Sequence, residues 1–204
     1  MPRNILILFA HPSLHRSEAN APLLATARQV DGVSVIDLYA EYPNFAIDID
    51  KEQQRLRQHE IIIFMHPLYW YSTPAMLKEW QDLVLEYGFA YGAGGTELKD
   101  KIFLSVTTAG ANADAYCAEG FNHFSLRELM RPLEQTARIC GMHYLPPFVL
   151  YGARTAGDEN RIQPHLERWQ RLLIALRDNT LDLNRAQSAA SLNDVLSLSA
   201  EDMS

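Results

Sequence analysis

Cysteine is scarce in this chain: Cys117 and Cys140 lie far apart and form no CxxC pair. That excludes a disulfide framework and a cysteine zinc cluster, and it fits a reducing compartment. Cationic surplus is also missing. There are 18 Lys and Arg against 25 Asp and Glu, a net charge of -7 with the seven histidines neutral. A protein that neutralises phosphate backbones carries a basic surplus, so nucleic acid is excluded as the main partner. No apolar run approaches the roughly 18 residues of a membrane-spanning helix. The start, Met1-Pro2-Arg3-Asn4 before six apolar residues, is too short for a signal-peptide core, and the expected location is cytoplasmic. Internal repeats are absent, as are low-complexity blocks before the tail. His59 and His165 have no partner at ligand spacing, so no metal site is expected and both read as surface residues.

What is present is ordinary globular composition: 204 residues, 48% hydrophobic and 21% charged, enough for one domain with a sizeable core. Apolar runs at Asn4–Ala10, Ile61–Met65, Ile102–Val106 and Phe148–Tyr151, with a weaker one at Val33–Leu38, read as five strands, the first buried on both faces. Between them, helical period marks Glu18–Gln29, Lys51–Gln58, Ala75–Glu86, Leu126–Gly141 and Asp158–Arg177. In the third, Met76, Trp80, Leu83 and Tyr87 share a face while Lys78, Glu79 and Asp82 point away. This alternation predicts an α/β fold, a flavodoxin-like three-layer α/β/α sandwich with a five-stranded parallel sheet in the order 2-1-3-4-5. The domain spans residues 1–180. Residues 181–204, with four acids, Arg185 and five serines, form a tail that is either mobile or a short helix using Leu192, Val195, Leu196 and Leu198.

In such sheets ligands bind at the carboxyl ends of the strands, and three of those ends are unusual. The first runs His11-Pro12-Ser13-Leu14-His15-Arg16-Ser17-Glu18-Ala19-Asn20 into a helix, with Ser17 placed as N-cap. Free amides there, helped by Arg16, suit a phosphate or simply a capped helix. The second, His66-Pro67-Leu68-Tyr69-Trp70-Tyr71-Ser72-Thr73-Pro74, sets three aromatics between prolines. They line a concave surface on which a flat ligand stacks, unless they pack in the core. The third, Thr107-Thr108-Ala109-Gly110-Ala111, is small enough for close backbone approach. Tyr87 to Gly95 is glycine-rich but follows a helix, so it reads as a lid, a subunit contact or a connecting loop. Cys117 has no flanking cation and reads as inert and packed.

The three loops in this order resemble those of flavodoxin-like NAD(P)H quinone oxidoreductases, most closely the ancillary proteins of bacterial glutathione-gated potassium efflux (Kef) systems. The likeness runs over residues 4–178. It includes Asp37-Leu38-Tyr39, Tyr42-Pro43, Ile47-Asp48-Ile49, the helix start Pro74-Ala75-Met76-Leu77-Lys78-Glu79-Trp80, and Gly88-Phe89-Ala90-Tyr91-Gly92 before Gly94-Gly95. The resemblance implies FMN, or alternatively FAD, as cofactor and NAD(P)H as co-substrate. It puts His11, Ser17, Glu18, Ala19 and Asn20 on the flavin phosphate. It puts Leu68, Tyr69, Trp70 and Tyr71 on the isoalloxazine, with Thr108, Ala109, Gly110 and Ala111 along the ring's other edge. Ala109 stands where the family commonly has glycine. By the same likeness Tyr116 and His123 are the catalytic pair near the pyrimidine edge, where negative charge develops on hydride arrival. The implied reaction is two-electron, ping-pong transfer to a quinone or related electrophile. A homodimer is implied, and so is a second role: activating a potassium efflux transporter at the cytoplasmic face of the inner membrane.

Overall fold

A computed structural model describes residues 2–198 of the chain. The last six tail residues and the Leu198 side chain, which the sequence places in an apolar stripe, lie outside the described residues. β1 (Ile5–Phe9) is central, between β2 (Val33–Asp37) and β3 (Ile61–Pro67), with β4 (Ile102–Thr108) beyond β3, all parallel. The order is β2-β1-β3-β4-β5, as expected. The fifth place holds two short pieces, β5 (His143–Tyr144) and β6 (Phe148–Leu150), both paired with β4. Pro146 and Pro147 between them have no amide hydrogen to give the ladder, so the strand breaks there.

Every residue of β1, β3 and β4 is buried, because helices cover both faces. Ile5, Ile7 and Phe9 point toward α1 (Asn20–Ala27) and α7 (Ile162–Arg177). Leu6 and Leu8 point toward α3 (Ile49–Arg57), α4 (Ala75–Val84) and α6 (Arg131–Ile139). Successive strand residues alternate between the two cores, as the pleat requires. Trp169 donates from Nε1 to the Leu23 carbonyl at 3.1 Å, locking α7 to α1. On the other face Glu52, with no exposed surface, accepts from Tyr42 at 2.6 Å, Trp80 at 2.9 Å and Arg55. A buried carboxylate with three donors is a satisfied structural group.

Several helix limits differ from the sequence pattern. Asp37 caps a short α2 (Leu38–Glu41) that no periodicity announces. The stretch read as one helix from Leu126 is two, α5 (Leu126–Leu129) and α6, with Pro132 in the first turn of the second. The tail holds α8 (Leu183–Ser188) and α9 (Leu192–Leu198), and Ala186, Leu192, Val195 and Leu196 join the α1/α7 core. Asn193 binds both backbone groups of Val149 at 2.8 Å, covering the free edge of β6 as another strand would. Two expected surface histidines are buried instead. His59 bonds the Arg55 carbonyl at 2.7 Å and Ser34 Oγ at 2.9 Å, and His165 stacks on Phe148 at 4.4 Å. Both turn an apolar ring inward, which a count of polar residues misses. Cys117 is the reverse: exposed, not packed.

Candidate active site

The loops that follow β1, β3 and β4 meet at one rim and wall a pocket of about 660 Å³. In the first loop Ser17 Oγ accepts the Asn20 amide at 2.9 Å, but the cap position of α1 is held by Ala19, without a side-chain cap bond, so Ser17 orders the loop ahead of the helix rather than serving as the expected N-cap. It also accepts Asn20 Nδ2 at 3.0 Å, and that nitrogen donates to Thr108 Oγ1 at 3.0 Å. Asn20, 3% exposed, therefore ties the first loop to the end of β4, while its Oδ1 is buried with no partner. The Ser13 amide donates to His11 Nδ1 at 3.1 Å, which leaves the ring proton on Nε2. Burial holds His11 below the usual histidine range against the pull of Asp37, so the ring is mainly neutral at pH 7. The amides of Glu18 and Ala19, just ahead of α1, have no carbonyl partner among the described residues.

The second loop reverses in two residues. Tyr69 and Ser72 exchange both backbone bonds at 3.0 Å, and between them Trp70 and Tyr71 have φ of 47° and 63°. Such a turn ordinarily takes Asn-Gly, so two aromatics there hold strain of roughly 1–3 kcal/mol each. Tyr69 lines the pocket with Leu68, whose amide donates to the Thr108 carbonyl at 2.8 Å. Trp70, 94% exposed, and Tyr71, 46% exposed, sit on the turn and are not in the pocket wall, contrary to their expected place on the ring surface.

In the third loop only Thr108 and Gly110 line the pocket. Ala109 is fully buried and faces Tyr116 and Val149, and Ala111 packs on the same cluster, so neither side chain reaches the pocket. The physical reason is the strand pleat, which turns alternate residues away.

Tyr116 and His123 do not line this pocket either. Tyr116 is 9% exposed, with its ring 5.5 Å from that of Tyr151. Burial, with Tyr71 nearby, holds its hydroxyl above the ordinary tyrosine range, so it is a donor at neutral pH. His123 is exposed at φ 60°. The segment that carries both is latched to the second loop by Tyr71, whose hydroxyl donates to Asn122 Oδ1 at 3.1 Å. The Tyr87–Gly95 loop is absent from the pocket wall; Tyr87 lies over Gly92, where an added Cβ would sit 2.2 Å from its ring.

Sequence reasoning missed Ser13, Pro67, Ala153 and Arg154, which also line the pocket. Arg154 follows β6, at the same rim as the other three strand ends, and its Nε lies across Gly110, 3.7 Å from where a Cβ would stand. The carboxyl-end rule applied to this last strand would have found it. Neither Arg154 nor Arg16 has an ion-pair partner among the described residues.

A parallel sheet in this order with a pocket at its carboxyl rim defines a flavodoxin-like protein. A family model described as flavodoxin-like fold matches residues 3–173, and the chain belongs to that family. It is 51% identical over 158 residues to the glutathione-regulated potassium-efflux system ancillary protein KefG of Erwinia tasmaniensis, covering 78% of this chain and 86% of that one. General stress protein 14 of Treponema denticola, solved in complex with FMN, superposes with TM-score 0.80 at 35% identity over 85% of this chain and 99% of that one. An NADPH-quinone reductase from P. pentosaceus gives TM-score 0.75 at 32% identity over 83% and 97%.

Proposed function

We propose that the protein is a flavin enzyme that takes hydride from NAD(P)H and passes two electrons to a quinone or similar flat electrophile. The observation that carries this is the rim pocket, whose donors suit a phosphate at one end and a flat ring at the other. Unpaired amides at Glu18 and Ala19, the Ser17 hydroxyl and two unpaired arginines favour a dianionic phosphate at the start of α1. The partnerless Oδ1 of Asn20 awaits a donor. Leu68, Tyr69 and Gly110 leave room for a ring. These residues fit FMN, the group bound in the Treponema neighbour.

Bound there, the flavin would supply reversible two-electron chemistry. Tyr116, protonated, and His123, at the outer edge of the third loop, are our assignments for stabilising charge that develops at the pyrimidine edge. His11, in the pocket wall with its proton on Nε2, is our assignment for a further donor to the phosphate. Trp70, Phe121 at 84% exposure and Phe124 at 55% leave apolar rings uncovered. A second copy of the chain is our assignment for their cover, which makes the protein a homodimer.

The test is an anaerobic titration of the FMN-reconstituted protein with NADPH, then NADH. Bleaching of the flavin band, reversed by a quinone, is expected, with parallel initial-velocity lines in steady state. Bound flavin that neither nucleotide reduces overturns the redox reading.

The likeness to KefG favours a second role beside the first, as an ancillary subunit bound to a potassium efflux transporter at the membrane's cytoplasmic face. Among the described residues no helix is long and apolar enough to cross a membrane, so attachment would be peripheral. Co-purification with the transporter's soluble domain tests it, and absence of a complex at about 10 µM, a concentration at which specific partners associate, removes it.

A further inference from the structure

A second cavity of about 210 Å³ lies between β6, the start of α7 and α9, with Tyr151 in its wall. Its apolar walls include Val149, Leu150 and Pro164. Of its polar groups, Arg161 is already committed, donating to the carbonyls of Tyr151 at 2.6 Å and Gly152 at 2.9 Å and pairing with Glu159 at 2.6 Å. Asn193 is committed to Val149. Asp194, on α9 near Tyr151, is engaged in contacts of its own.

Two buried nitrogens have no partner among the described residues. His165 is 1% exposed and its Nε2 has no hydrogen-bond partner among the described residues. Arg168 lines the same cavity, its buried Nε has no partner, and it forms no ion pair among the described residues. Standing three apart on α7, the two share one helix face. The helix has no side-chain cap and no acid in its first turn, so its positive end is uncompensated here. Native interiors rarely leave two buried polar atoms unpaired side by side, and one ligand would satisfy both.

We propose that this cavity binds a small organic carboxylate, with its oxygens on Arg168 and His165 and its apolar body against Val149, Leu150 and Pro164. A guanidinium takes a carboxylate through two parallel N–H bonds, and the apolar walls suit an organic body better than a bare phosphate. The site is independent of the flavin pocket and of the function proposed for it. Burial and the charges of Arg168 and Arg161 hold His165 down to about 3; a carboxylate beside it opposes that push.

The probe is benzoate, titrated into the full chain with isotope-labelled histidine while the His165 imidazole resonances are followed. A saturable shift with Kd below about 5 mM is expected, with His165 titrating at higher pH when benzoate is bound. Arg168→Gln weakens binding at least about tenfold, Arg168→Lys less, and Arg16→Gln, in the other pocket, leaves it unchanged. His165 resonances that stay still up to about 50 mM benzoate overturn the proposal. So does unaltered affinity in Arg168→Gln, equal loss in Arg16→Gln, or tighter binding of inorganic phosphate with the same shift at His165.

Discussion

The two long loops of the rim pocket are built on opposite principles. The first is knitted by side chains: Ser17, Asn20 and Thr108 form one hydrogen-bonded chain across two strand ends, and His11 is oriented by Ser13. The second turns on one pair of backbone bonds between Tyr69 and Ser72, has a single side-chain latch, from Tyr71 to Asn122, and carries its aromatics on two left-handed residues. A phosphate has fixed charge and fixed geometry, so donors set in advance bind it without reorganisation. Flat rings tolerate sliding, and a strained, exposed platform serves them while keeping its free energy high until it is covered. Cutting the first loop should therefore cost ligand binding and stability together, whereas relaxing the second should separate the two.

The largest effect is expected at Asn20. Asn20→Leu removes both side-chain bonds, leaving Thr108 Oγ1 without this donor and Ser17 with only the backbone amide of residue 20, so FMN affinity should fall about 100-fold, or about 2.7 kcal/mol. Flavin fluorescence quenching measures it. Retained affinity would show that the knitted loop is merely a capped helix.

Acid should act next, through the root of the second loop. His66 is fully buried, its Nδ1 donates to the Pro67 carbonyl at 3.0 Å, and its Nε2 has no partner. Burial pushes it down to about 4. The unfolded chain, with histidine near 6.5, takes up the proton first, so this contribution to stability is full above pH 6.5 and lost as pH falls toward 4. The slope is about 1.4 kcal/mol per pH unit for each such histidine, and His165, held to about 3, adds a second. Urea unfolding at pH 7, 6 and 5 reads it, and His66→Asn should remove one proton from the slope. A flat profile would mean that His66 is hydrated and the loop's root is open.

Much of this contrast was legible in the sequence, and the exceptions have physical causes. Ile5–Phe9 and Ile61–Met65 announced themselves because strands buried on both faces must be apolar throughout. Ser17 was legible as a side chain that orders the approach to α1 because its bond to the Asn20 amide is local, although the cap position itself is held by Ala19. The Asn20–Thr108 bond was not, since it spans 88 positions and exists only once β1 and β4 share a sheet. Arg154 was legible in principle, since it follows the last strand, and was missed because only three strand ends were read. Trp70 and Tyr71 looked like ring-stacking residues, but nothing in Tyr-Trp-Tyr-Ser reports a left-handed turn that Asn-Gly would have signalled. The docking of the tail through Asn193 was equally silent, because a short polar side chain carries no mark that it will complete a strand edge.

That hidden turn offers a sharper test. Trp70 is almost wholly exposed, so Trp70→Gly gives up little burial while releasing the left-handed strain. Stability should rise by about 1 kcal/mol, and kcat/KM for a quinone should fall about tenfold as the stacking face is lost. A variant that is less stable would show that Trp70 packs against something in solution, a second copy of the chain first of all. Thermal unfolding at two protein concentrations separates these outcomes, since only a dimer makes Tm concentration-dependent.

The smallest expected effect concerns the latch between the platform and the segment that carries Tyr116 and His123. Tyr71→Phe removes the hydroxyl that donates to Asn122 Oδ1 and leaves the ring and the turn as they are. Both partners are accessible to water, so the stability loss should be about 0.5 kcal/mol. The functional consequence is expected to be larger than that figure, because the latch is the described side-chain hydrogen bond that ties the second loop to the 116–123 segment. If the segment's position matters to hydride transfer, kcat should fall several-fold with FMN affinity unchanged, since the phosphate end is knitted elsewhere. Equal loss of FMN affinity would instead mean that the two loops are one mechanical unit.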